Sequence, residues 1–168
     1  MALEIERKYL VLNNAYEAAA ERVYRIEQGF LVAKEELVIR VRIRDKEAFL
    51  TIKDATNDNG LSRHEWEYAI PLRDAEELLR QCGSAVIRKE RFLIPEGKYY
   101  WEVDRFHGAL EGLVVAEIEL DDATVEPPLP SWIGKEVTGC RAYYNAVLAV
   151  EGMPKQCLPN KDKRDNYS

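Results

Sequence analysis

Three short units in this chain share one form, two glutamates flanking an apolar residue: Glu4-Ile5-Glu6, Glu65-Trp66-Glu67 and Glu117-Ile118-Glu119. That spacing puts both carboxylates on one face of an extended strand and the apolar residue on the other. Basic residues repeat at the same spacing, as Arg40, Arg42 and Arg44 in LVIRVRIR and as Lys89 and Arg91 in RKERF. Lys8 continues the first acidic row, Lys53 lies beside Thr51, and Glu102 with Asp104 forms a further acidic pair. Converging carboxylates about 4 Å apart repel by roughly 4 kcal/mol at an effective dielectric near 20. Such rows stay ionised only if cations sit among them, and otherwise take up protons. Oxygen-only ligands favour hard ions such as Mg2+, Mn2+ or Ca2+, whereas rows of Arg and Lys need anions. Divalent metal together with a polyphosphate satisfies both sets.

These side chains must be carried by strands. Alternation of apolar and polar residues predicts strands at 2–11, 23–32, 36–44, 47–53, 63–71, 86–94, 99–106 and 113–120. Short links between many of them imply antiparallel neighbours. Asp45-Lys46 suits a hairpin, and DATNDNGLSR reads as a polar loop with turn chemistry at Asn59-Gly60. Helices are expected to be sparse: a short one at 14–21, and one capped by Asp74 with Glu77 completing a capping box, running to about Cys82 and ended by Gly83. Beyond Pro127, Pro128 and Pro130 a final segment, roughly 131–151, places Tyr143, Val147 and Val150 at helical spacing. A sheet with one wet face mixes charge signs between neighbouring strands, but here one sign dominates each strand's polar face. The expected helices are also too few to cover a large open sheet. The expected fold is therefore mainly β (α+β): an eight-stranded antiparallel barrel, closed so that it has no edges, around a charged tunnel.

Composition narrows the classes. The chain has 168 residues, 46% hydrophobic and 32% charged, which suits one globular domain. No apolar run approaches the roughly 20 residues of a membrane span, and MALEIERKYLV lacks the build of a signal peptide, so a cytoplasmic location is expected. A net charge of −6 argues against nucleic acid as a partner. Cys82, Cys140 and Cys157 are read as thiols, since an odd count without CxxC spacing suits neither a disulfide framework nor a zinc site. His64-Glu65 begins like HExxH, but Tyr68 stands where the second histidine is needed, and no GxxxxGK[ST] or GxSxG is present. The expected domain spans 1–151, followed by a polar, disordered tail at 152–168.

Glu4-Ile5-Glu6-Arg7-Lys8 resembles the ExExK signature of the CYTH, or triphosphate tunnel metalloenzyme, superfamily. Further matches follow in order: Gln28-Gly29, Arg40-Val41-Arg42, Thr51-Ile52-Lys53, Ser62-Arg63 leading to Glu65-Trp66-Glu67, Lys89 with Arg91, Glu102-Val103-Asp104, and Ala116-Glu117-Ile118-Glu119. The resemblance runs from residue 1 to about 150. It implies that Lys8, Arg40, Arg42, Lys53, Lys89 and Arg91 grip phosphates. It implies metal ligands among Glu4, Glu6, Glu65, Glu67, Asp104, Glu117 and Glu119, with Lys8, Glu4 and Glu67 catalytic. The implied cofactor is Mg2+ or Mn2+, two ions, with Ca2+ as an inhibitory competitor. The implied activity is hydrolysis of a small triphosphate, and the length is most similar to that of bacterial members cleaving inorganic tripolyphosphate. A class IV-type adenylate cyclase, a thiamine or nucleoside triphosphatase, and a non-catalytic polyphosphate-binding module are the alternatives. Expected partners are the small triphosphate and, on the outer barrel face, a second copy of the chain; a membrane is not expected. Two positions depart from the family pattern: Phe30 replaces a tyrosine after Gln28-Gly29, and Ala142 replaces a basic residue, with Arg141 beside it.

Overall fold

The computed structural model describes residues 1–155. Its strands are β1 (Ala2–Val11), β2 (Arg22–Ala33), β3 (Leu37–Arg44), β4 (Glu47–Asp54), β5 (Ser62–Ile70), β6 (Val86–Glu96), β7 (Tyr99–Phe106), β8 (Val114–Glu119) and β9 (Ile133–Glu136). All pairings are antiparallel, in the order β5-β4-β3-β2-β6-β7-β8-β1-β9, and a further β5–β1 pairing closes the first eight into a barrel. Strand β1 divides its free edge. Ala2 to Ile5 pair with β5, whereas Tyr9 and Val11 pair with β9. The eight-stranded barrel is as the alternation predicts; β9 was not foreseen, because its four residues carry too little alternation to stand out.

The barrel is polar inside, so most of its apolar packing lies outside. Tyr9, Trp101, Val103, Ala116 and Ile118 on the outer faces of β1, β7 and β8 pack with Tyr16, Trp132 and Ile133. Three edge-on aromatic contacts join this cluster, Tyr9–Trp101, Trp101–Trp132 and Tyr16–Trp132. Helix α1 (Tyr16–Ala19) is shorter than the sequence suggests and serves mainly to bury Tyr16. Helix α2 (Leu72–Gln81) lays Ala75 and Leu79 on Val41 and Ala48 of β3 and β4. It starts after Pro71, with no side-chain cap. The Asp74 capping box is therefore corrected: Asp74 sits within the first turn, where an acidic group still meets the positive end of the helix dipole. Gly83, at φ 60, follows its end as expected.

The final segment is helical only at α3 (Asn145–Glu151), preceded by a short 3-10 turn at Arg141–Tyr143. Leu148 of α3 packs on an apolar layer that includes Phe30, Val38, Ile87, Phe106 and Val115. Four of these share the inward phase of the charged residues in their strands: Val38 with Arg40, Ile87 with Lys89, Phe106 with Asp104, and Val115 with Glu117. Helix α3 thus packs on an apolar layer at one end of the barrel. Cys82 is a buried free thiol, whereas Cys140 is disulfide-bonded, which corrects its reading as a thiol. From residue 156 on, including Cys157, the expected tail lies outside the described residues. No helix among the described residues is long and apolar enough to cross a membrane.

Candidate functional site

The barrel encloses a cavity of about 520 Å3, within the usual range for a small-molecule site. Its walls follow from strand order. Around the barrel, β8, β1 and β5 are consecutive, so the three Glu-apolar-Glu units form one continuous acidic wall. Register reinforces this: Glu6 stands opposite Glu119, Lys8 opposite Glu117, and Glu102 opposite Glu117. On the far side β3 and β6, with β2 between them, supply Arg40, Arg42, Lys89 and Arg91. Lining the cavity are Glu4, Glu6, Lys8, Arg40, Arg42, Lys53, Glu65, Glu67, Arg91, Glu117 and Glu119, all anticipated from the sequence.

Two anticipated residues stand apart. Lys89 and Asp104 are buried in the basic wall and do not line the cavity. Asp104 accepts from Lys89 Nζ at 2.7 Å and from Arg91 Nε and Nη2 at 2.7 and 2.8 Å. Its oxygens are committed to cations, and Arg91 also meets Glu102 at 2.6 Å. Gln28, fully buried, completes this bracing: its side-chain oxygen accepts from Arg42 Nε, and its nitrogen donates to Asn145 Oδ1, each at 3.0 Å. Asn145 also accepts from Lys89 at 2.9 Å, tying α3 to the basic wall. Arg40 donates to Thr51 Oγ1 at 3.1 Å and Thr51 donates to Glu67 at 2.9 Å. The Nε of Arg40 is buried with no hydrogen-bond partner among the described residues. An unpaired buried donor of a cation is costly, and an anion's oxygen would satisfy it.

The acidic wall holds more carboxylate than its cations neutralise. Lys53 reaches Glu4 at 2.7 Å and Glu65 at 4.0 Å. Burial opposes ionisation of Glu4, but Lys53 and Arg63 overcome it and bring its pKa down to about 2. Burial, Glu117 and Glu4 push Glu6 well above the usual carboxylate range, while its hydrogen bond with Glu117 helps the nearby cations Lys8, Arg91 and Lys89 hold Glu117 low. Burial and the surrounding carboxylates Glu4, Glu102 and Glu65 raise Glu119 to about 7, and burial raises Glu65. Lys8 is buried, but Glu117 at 3.2 Å and Glu6 outweigh that burial and raise its pKa, so it stays charged. Across the cavity, burial together with Arg40 and Arg91 lowers Arg42 to about 9. Burial with Arg91 and Arg42 lowers Lys89 to about 7 against the pull of Asp104.

Among the described residues no three acidic side chains meet closely enough, as they stand, to hold one ion. The donor chemistry nonetheless fits a hard divalent cation. The donors are all oxygen, and Glu6, Glu65 and Glu119 are pushed toward protonation by burial and by neighbouring carboxylates, Glu4 among them in each case.

Residues outside the anticipated set also line the cavity: Arg44, Arg63, Glu102, Arg141, Tyr144 and Asn145. Arg63 and Glu102 share the inward phase of Glu65 and Asp104, a signal available in the sequence. Tyr144 and Asn145 carry no such period, since they enter from α3's start. Phe30 sits in the apolar layer beneath α3, and Arg141 reaches the cavity beside Glu35, 3.9 Å away.

Comparison with known proteins agrees with this architecture. The CYTH domain model matches residues 2–146. An inorganic triphosphatase of Acetivibrio thermocellus is 42% identical over 150 residues, covering 88% of this chain and 94% of its own length. An inorganic triphosphatase of Nitrosomonas europaea is 32% identical over 152 residues, covering 88% and 97%. The crystal structure of the inorganic triphosphatase NE1496 superposes with a TM-score of 0.62 at 29% identity, covering 89% of this chain and 95% of that one. With the pattern matched across nearly all of the barrel and relatives similar over almost their whole length, this chain belongs to the CYTH domain family.

Proposed function

We propose that this protein hydrolyses a small triphosphate, inorganic tripolyphosphate above all, to diphosphate and phosphate, using Mg2+ or Mn2+. The observation that carries the reading is the enclosed cavity with an acidic wall facing a basic one. Two relatives named inorganic triphosphatase support the choice of substrate.

In this reading Arg40, Arg42, Lys53 and Arg91 bind the phosphate chain, and the free Nε of Arg40 receives one of its oxygens. Lys89 and Asp104 hold Arg91 in place from behind. Glu4, Glu6, Glu65, Glu67, Glu117 and Glu119 are the residues to hold divalent ions. Such ions supply charge neutralisation at the phosphates and an acidified water. Water attacks the terminal phosphorus, the bridging P–O bond breaks, and the guanidinium groups offset the charge that develops on the departing diphosphate. Lys8, which lines the cavity and is kept charged by Glu117 and Glu6, contacts the phosphoryl group being transferred in this reading.

The test is phosphate release from tripolyphosphate with Mg2+ or Mn2+, beside ATP and a chelator control. Rapid chelator-sensitive release, with ATP much slower, supports the proposal. Cyclic nucleotide from ATP would assign the site to a cyclase, and metal-independent binding without turnover would assign it to a binding module. Glu4→Gln and Glu67→Gln are expected to reduce turnover greatly in folded protein; full activity in both would refute the assignment.

A further inference from the structure

Lys8 is a buried cation whose position is set largely by residues at the start of α3. Its ammonium meets Glu117 Oε1 at 3.2 Å and donates to the Tyr143 carbonyl at 3.0 Å. Nζ also stands 5.4 Å from the centroid of the Tyr144 ring. The same ring faces a second cation, with Arg63 Cζ at 6.0 Å. Arg63 in turn lies 3.9 Å from Glu4. One ring therefore sits beside two of the cations that flank the first acidic row, Lys53 being the third.

Two like charges near one another repel, and the negative face of an aromatic ring offsets that repulsion. The ring also has little freedom to move. Tyr144 donates its N–H to Arg141 O at 3.0 Å and accepts at its own carbonyl from Leu148 N–H at 2.8 Å. Its hydroxyl abuts the Asn59-Gly60 turn, so closely that a Cβ on Gly60 would lie 2.7 Å from it. Beside it a chamber of about 20 Å3, lined partly by Glu4, Glu6 and Arg63, has room for a single water. Tyr144 lines both this chamber and the main cavity.

From this geometry we infer that Tyr144 is a positioning residue: its ring holds Lys8 in register with the substrate, and it acts on turnover through Lys8. The inference rests on the triphosphatase reading.

The test compares Tyr144→Leu and Tyr144→Phe, alone and with Lys8→Met, in the full-length protein. Loss of the ring should lower kcat about tenfold with KM changed less than about threefold, as befits a cation–π contact. Tyr144→Phe should recover most of that loss. In the Lys8→Met background, Tyr144→Leu should cost less than about twofold, because its route of action is already gone. An equal loss in both backgrounds would overturn the inference, since it would mark a merely structural role. A second readout needs no activity: in protein with 13C-labelled lysine, the Lys8 ε-methylene resonance should move in Tyr144→Leu and stay nearly fixed in Tyr144→Phe. An unmoved resonance in the leucine variant overturns the inference. If wild-type protein turns over no triphosphate, the functional reading fails, while the resonance still decides where Lys8 is held. Tyr144→Met, closer in length, takes the place of the leucine variant should that one not fold.

Discussion

Replacing Asp104 with asparagine isolates the bracing behind the basic wall. Asp104 is 2% exposed and engages two cations, Lys89 at 2.7 Å and Arg91 at 2.7 and 2.8 Å. Breaking a buried ion pair by removing one partner costs about 3–5 kcal/mol. For a chain of this size that corresponds to a fall in Tm of about 6–20 °C. The two cations do not suffer equally. Arg91 keeps Glu102 at 2.6 Å, whereas Lys89 keeps neutral partners, the Asn145 oxygen and the Phe106 ring. Lys89 already has its pKa lowered to about 7 by burial and by its cationic neighbours. A lysine whose folded pKa lies below its unfolded value near 10.4 costs stability while charged. That cost is full below the folded pKa and disappears as pH rises toward the unfolded one. By pH 9 Lys89 is largely neutral in both proteins, so little of its pair with Asp104 remains to be lost. Thermal unfolding of wild type and Asp104→Asn at pH 6 and pH 9, each with chelator, measures this. The variant's deficit should be several kcal/mol at pH 6 and clearly smaller at pH 9. A deficit below about 1 kcal/mol at pH 6, or an equal one at both pH values, would refute the reasoning.

Other outcomes follow from the same geometry. Because burial and neighbouring carboxylates raise Glu119 to about 7 and hold Glu6 well above its ordinary range, these acids oppose folding once ionised, and metal-free protein should lose Tm as pH rises from 5 to 7. Added Mn2+ should restore more Tm at pH 7 than at pH 5 in scanning fluorimetry; equal gains would contradict the charge imbalance. Gln28→Leu strands Arg42 Nε and leaves Asn145 Oδ1 with Lys89 as its remaining donor, with an expected cost of about 1–3 kcal/mol in denaturant unfolding and a raised KM. Unchanged KM and stability would show that this bridge is dispensable. Gly139, at φ +75, approaches the Asn59 carbonyl so closely that a Cβ would lie 2.1 Å from its oxygen. Gly139→Ala should therefore force the two loops apart and destabilise by about 1–3 kcal/mol, and calorimetry finding wild-type stability would disprove that contact.

Much of the barrel was legible in the sequence because inward and outward residues alternate strictly. One-sign rows such as Arg40, Arg42 and Arg44 have no use on an ordinary wet face. The eight barrel strands, the polar interior and the acidic and basic rows of the cavity wall followed from that period. Residues outside the period stayed hidden. Tyr144 reaches the cavity from the turn into α3, and β9 is too short to announce itself. Asp104 shares the phase of the acidic rows, but its role is set by its partners. Only the register that places it opposite Arg91 decides that its charge is spent on bracing.

By itself the sequence determined the sign of each strand's inner face, since spacing of two residues is a local property of extended chain. It could not determine which strands meet. Closure of β1 onto β5, with β8 on its other edge, joins three distant acidic pairs into one wall facing the arginines. That juxtaposition depends on hydrogen bonds between strands far apart in the chain, and Coulomb energy falls with distance in space rather than along the sequence.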